Sequence, residues 1–70
     1  MIINQIEVQH TDGSVAERWW NIEFHADRDT YTEDRNGARY EVDARKVRRD
    51  GDWGIVYVDD VRCLGRTREW

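Results

Sequence analysis

In a chain of seventy residues, one crowded apolar stretch decides most of what the fold can be. Residues 53–64 read WGIVYVDDVRCL, and Trp53, Ile55, Val56, Tyr57, Val58, Val61, Cys63 and Leu64 fall close together there. Elsewhere apolar residues come singly or in pairs. A strand apolar on both faces belongs at the centre of a small sheet or barrel, so this segment reads as the central strand or central hairpin. Asp59-Asp60 interrupts it. Either one long strand bends there, or two short strands turn there with Val58 opposite Val61. Asp-Asp is a mediocre two-residue hairpin turn, because a type I′ turn wants Gly second, so a bent strand is at least as good a reading.

The rest of the chain alternates in the same β fashion. Residues 1–10 carry Ile2, Ile6 and Val8 on one parity, and Asp12-Gly13 follows as a hairpin signal. Residues 14–26 read as a second strand with Ala16, Trp20, Ile22 and Phe24 on one parity. A two-residue turn pairs Glu7 with Arg18 but sets Val8 against Glu17. A three-residue loop with a bulge pairs Ile2 with Ile22 and Val8 with Ala16 but leaves Glu7 opposite Glu17. Facing apolar sets normally dominate register, which favours the bulged form.

Residues 31–35 and 38–43 flank Asn36-Gly37, the clearest hairpin in the chain. It pairs Asp34 with Arg39 and Tyr31 with Val42, both favourable cross-strand partners. Residues 44–49 allow two readings. Asp43 could cap one helical turn stopped by Gly51, or the strand could run on into an Asp50-Gly51 hairpin; the helical turn is preferred. Residues 65–70 form a tail whose Trp70 is expected to fold back onto the core. The chain has no proline, so charge must guard its edge strands. The prediction is an all-β fold in a single domain over residues 1–70. It is a small antiparallel curved sheet of five or six strands, or an SH3-like barrel built from hairpins, with one short helical turn near 44–49.

Composition narrows the function classes. A chain this short buries only about 60% of its unfolded surface, and its single cysteine permits no internal disulfide. A zinc site would need Cys63, His10, His25 and a carboxylate, at spacings that match no zinc motif. A core built on the four Trp residues, or oligomerisation, is the expected source of extra stability. The net charge of −4 disfavours a general nucleic-acid coat and anionic membranes. No apolar run approaches the ~18 residues of a membrane span, and the first ten residues lack signal-peptide character. A cytoplasmic protein without cofactors is the expectation.

Four features compete to carry chemistry. His10 and His25 have no Ser, Asp or Cys partner at an interpretable spacing and read as surface residues. Cys63, set among apolar residues, reads as a buried thiol. Asp27, Asp29, Glu33 and Asp34 cluster around the second connection, and Asp50, Asp52, Asp59 and Asp60 flank the central stretch. The simplest account of these acids is solvated loop charge; the functional one is a surface complementary to a basic partner. Trp19 and Trp20 must face opposite ways on a strand. If Trp20 is core, Trp19 faces out, and an exposed Trp favours an interface.

Arg45, Lys46, Arg48 and Arg49 form the chain's only basic cluster, and Arg48 could stack on Trp53. The cluster could contact phosphates, alone or with Arg62, Arg66 and Arg68; otherwise it neutralises neighbouring acids. The expected function is therefore a non-enzymatic protein-binding module. Its site is Trp19 with Asp27, Asp29, Glu33 and Asp34, and homodimerisation is an open variant. A phage- or plasmid-type inhibitor that blocks a nucleic-acid-processing complex would suit such a chain. The alternative is a small-barrel RNA- or DNA-binding module that uses Arg45, Lys46, Arg48, Arg49 and Trp53.

Overall fold

The computed structural model describes residues 3–66. It is all-β, with eight strands in two four-stranded sheets. The strands are β1 (Gln5–Gln9), β2 (Val15–Trp19), β3 (Ile22–His25), β4 (Thr30–Arg35), β5 (Ala38–Asp43), β6 (Arg48–Asp50), β7 (Trp53–Tyr57) and β8 (Arg62–Arg66). The first sheet has the order β2-β1-β7-β6 and the second β3-β4-β5-β8. All neighbours are antiparallel except β1 and β7, which run parallel. The expectations for Ile2, Arg68 and Trp70 lie outside the described residues.

The strand count exceeds the five or six expected because two long strands are broken at corners. Residues 14–26 divide at Trp20-Asn21, where the chain leaves the first sheet as β2 and enters the second as β3. Residues 53–64 divide at a 3₁₀ turn, Val58–Asp60, closed by Val61 N–H donating to the Val58 carbonyl at 3.2 Å. That corner sends β7 and β8 into different sheets, so Val58 and Val61 do not face each other as a hairpin pair.

Strand β7 is interior to its sheet, between β1 and β6, as the apolar run requires. Gly54 and Val56 point into the core beside Ile6 and Val8 of β1. β8 is an edge strand instead, and Cys63 and Leu64 are exposed. Cys63 is thus not a buried thiol. An edge strand has neighbours on one side only, and a bulge at Leu64 turns its side chains out of regular alternation.

The core comprises Ile3, Ile6, Val8, Trp19, Val42 and Val56, with Ile22, Tyr31, Tyr40, Val47 and Val61 packed against it. Strand β1 supplies its centre, pairing on both sides. The observed register sets Ile6 opposite Trp19, Glu7 opposite Arg18 and Val8 opposite Glu17, the pairing that a two-residue turn predicts. The bulge favoured from the sequence exists, but only at the turn, where Gln9 moves to face Val15. Its alignment of Val8 with Ala16 fails because Trp19, not Trp20, belongs with Ile6.

The turns follow local chemistry. Asn36 and Gly37 both have positive φ, 54° and 77°, as a type I′ turn demands, and the predicted pairs Asp34–Arg39 and Tyr31–Val42 are in place. Both readings of residues 44–49 are partly met: a 3₁₀ turn at Ala44–Lys46 is followed by β6, which pairs with β7 around Gly51-Asp52. Asp43 precedes the turn but makes no side-chain cap.

Candidate functional site: the Trp20 corner

Backbone pairing decides which indole is buried. On β2 the inward positions are odd-numbered, because Trp19 lies opposite Ile6. On β3 they are even-numbered, because Ile22 lies opposite Glu33, on the face shared by Tyr40 and Val42. The corner at Trp20-Asn21 changes the parity. Trp19 is fully buried (0% exposed) and Trp20 is 63% exposed, so the outward Trp19 expected from the sequence is corrected: the presented indole is that of Trp20.

A chain of polar contacts ties the two together. The buried Trp19 indole donates through Nε1 to Glu17 Oε1 at 2.6 Å, satisfying its one polar atom. Arg35 lies 3.4 Å from that same oxygen and 3.3 Å from Glu33 Oε1, and also donates to the Arg18 carbonyl. The other oxygen of Glu33 accepts from the Trp20 backbone N–H at 2.7 Å and from the Asn21 N–H at 3.4 Å. Glu33 is only 3% exposed. Burial pushes its carboxyl above the usual range, against the opposing pull of the Trp20 N–H and Arg35. Glu33 is therefore no surface acid for a partner, as the sequence suggested. It holds the corner that presents Trp20.

The other acids of the expected site separate. Asp27 and Asp29 lie exposed in the β3–β4 turn, where Asp29 adopts φ 55° and its carbonyl accepts from the Ala44 N–H at 2.9 Å. Asp34 lies at the far end of β4, about 16 Å away by strand rise. Arg39 clasps it at 2.8 and 3.3 Å, and this pairing holds the Asp34 carboxyl below its usual range. Asp34 joins Asn21, Ile22, Glu23 and Thr32 around a shallow groove of ≈ 560 Å³ beside β3.

Phe24, which the sequence reading assigned to the core, is half exposed and packs at 5.0 Å, tilted, against Tyr31. Trp20, Phe24, Glu23 and Asp34 thus surround one strand edge. Sequence reasoning missed Glu23 and Phe24 as site residues. Alternation marks Glu23 as outward, but it places Phe24 inward beside Ile22; Phe24 is exposed because β3 is the edge of its sheet, which alternation does not reveal.

The expected basic site lies elsewhere. Arg45 and Lys46 are exposed on the 3₁₀ turn, with Arg45 3.9 Å from Asp29. Arg48 and Arg49 are on β6, the edge of the first sheet. Arg48 sits over the ring of Tyr57 at 4.9 Å, rather than over Trp53, because its cross-strand partner is Ile55 and Tyr57 is the diagonal neighbour. Trp53 is half-buried. Trp53, Ile55 and Tyr57 share the outward face of β7, since Gly54 and Val56 point inward.

Two further polar groupings are structural. Arg62 donates to Glu41 at 2.7 Å and to Asp43 at 3.0 Å, fastening edge strand β8 to β5 and drawing both carboxyls below their usual range. His25 Nε2 lies 2.8 Å from the Thr32 hydroxyl, and His10 is exposed in the β1–β2 turn. Among the described residues no group of three or more His, Cys, Asp or Glu gathers as metal ligands would, and no helix is long and apolar enough to cross a membrane. No protein-family model, curated protein or solved structure matches the chain.

Proposed function

We propose that this chain is a non-enzymatic protein-binding module whose contact surface centres on Trp20. One observation carries the reading: an indole 63% exposed stands on a backbone fixed by the buried Glu33 carboxylate. Exposing a Trp costs solubility and is common at interfaces, where Trp is enriched among the residues that dominate affinity. Holding its backbone in advance removes part of the ordering cost of binding. Phe24 extends the apolar surface, and Glu23, Asp27 and Asp34 give it acidic surroundings that favour a basic partner.

Small barrels of the SH3 type dock peptides on exposed aromatics. Inhibition of a nucleic-acid-processing complex fits the same surface: small size and acidic balance support it, because such a surface competes with phosphates for a basic protein. An intracellular setting is part of the same proposal, supported by the exposed free thiol of Cys63.

The test is quantitative capture of partner proteins from lysate by the parent chain and by Trp20→Ala, with the captured proteins identified by mass spectrometry. Capture should fall roughly tenfold or more in the variant while its melting curve stays in place. Undiminished capture by a folded variant would reject Trp20 as the contact. A second reading is favoured by the Arg48 guanidinium over Tyr57, with Trp53 on the same outward face: base stacking by single-stranded nucleic acid. Binding of single-stranded DNA or RNA that is absent even at low salt eliminates it.

A further inference from the structure

Strand β3 is the last strand of the second sheet. Among the described residues it pairs with β4 alone, so the backbone groups along its other side point away from the sheet. Such an edge accepts an additional strand unless something guards it. The common guards are proline, charged side chains, a bulge, a very short strand or a covering segment. β3 is four residues long, reads Ile-Glu-Phe-His, pairs with β4 in unbroken register and is guarded only by its shortness and the single carboxylate of Glu23, a charge that a basic partner would match.

The two faces beside this edge differ. One carries Ile22 and the half-exposed Phe24, with Trp20 just before the strand. The other carries Glu23 and opens into the ≈ 560 Å³ groove with Asn21, Thr32 and Asp34. Side chains of an added strand alternate between these faces. Arg39 is engaged by Asp34, and the pairing keeps the Asp34 carboxyl ionised to lower pH. With Glu23 on the strand and Asp27 just beyond it, the polar side calls for cations.

We propose that the β3 edge binds an extended segment of a partner protein as a fifth strand of the second sheet, and that the segment alternates apolar with basic residues. Its apolar side chains cover Ile22 and Phe24, while its Lys or Arg side chains meet Glu23 on the opposite face. This rests on the protein-binding reading above and specifies the partner. Main-chain hydrogen bonds supply affinity, and the unlike faces supply selection.

The experiment is an NMR titration of the isotope-labelled chain with a capped peptide of about seven residues alternating valine and lysine. Amide shifts should centre on β3. Binding should weaken roughly tenfold in Glu23→Lys, and should be lost when the peptide is N-methylated in one of its two alternate frames but kept in the other. Three results would overturn the proposal: no shifts at β3, equal binding by a peptide with its valines and lysines in separate blocks, or equal binding by both N-methylated forms. A concentration-dependent dimer in light scattering, with β3 as its interface, would also overturn it by making a second copy the occupant. Loss of capture in Trp20→Ala without peptide binding rejects strand addition alone. Peptide binding with undiminished capture rejects the Trp20 contact alone.

Discussion

The indole of Trp19 sits between the sheets with its N–H on Glu17, while its neighbour in the chain projects outward from a corner. Truncating Trp19 removes a fully buried aromatic and leaves the Glu17 carboxylate without that donor. Trp19→Ala should cost about 3–5 kcal/mol, much of the ~5–15 kcal/mol that holds a domain together. Trp20→Ala should stay within ~0.5 kcal/mol, as surface changes do. Thermal melts of the two variants check this, and comparable losses would mean the parity is wrong.

Glu33 makes a second residue-scale prediction. Burial raises its folded-state pKa, so the fold prefers the protonated form relative to the unfolded chain. Its contribution is full below the unfolded value near 4.5 and is lost as pH rises through the raised folded value. Glu33→Gln keeps an acceptor for the Trp20 N–H but cannot ionise. The melting temperature of the variant should therefore gain on that of the parent as pH rises from about 4 to neutrality. A difference that moves the other way contradicts the role given to burial.

At the scale of elements, legibility followed turn chemistry. Asn36-Gly37 specified its hairpin completely, because two adjacent positive-φ positions suit few dipeptides. Gly51 marked a second hairpin, shifted by one residue from the Asp50-Gly51 reading. The corners were opaque. Trp20-Asn21 carries no Gly or Pro, and only the pairing of β2 with β1 and of β3 with β4 reveals that inward parity changes there. The burial of Trp19 and the exposure of Trp20 both depend on it, whereas Phe24 keeps the inward parity of Ile22 and is exposed because β3 is an edge strand. The exposed β8 residues were missed because composition cannot distinguish a central strand from an edge.

Strand β7 offers the element-scale test. Gly54 is buried opposite Ile6 and Arg49, and a Cβ there would run into the Val47 side chain while touching Ile3. Its need is space, not an unusual backbone. Gly54→Ala should destabilise by roughly 1–3 kcal/mol through overpacking, read by urea unfolding. An unchanged midpoint would mean that Val47 moves aside freely and that β6 is loosely held.

For the whole molecule, the two sheets separate two kinds of surface. The β3 side of the second sheet gathers Trp20, Phe24, Glu23 and Asp27, while the β6 side of the first gathers Arg48, Arg49 and Tyr57. Composition announced both charges but not their division, which arises because β2 and β3 continue one another across the corner. The acidic set expected from the sequence survives only in part: Asp27 and Asp34 flank the β3 edge, Asp29 faces Arg45, and Glu33 is an internal support.

The central claim is that the β3 edge beneath Trp20 is the contact surface. Hydrogen exchange of the chain alone and bound to its captured protein partner tests it most directly. Protection should rise over Trp20, Asn21 and β3 and stay unchanged over β6 and β7. Protection that rises over β6 and Tyr57 while β3 exchanges as before would contradict it.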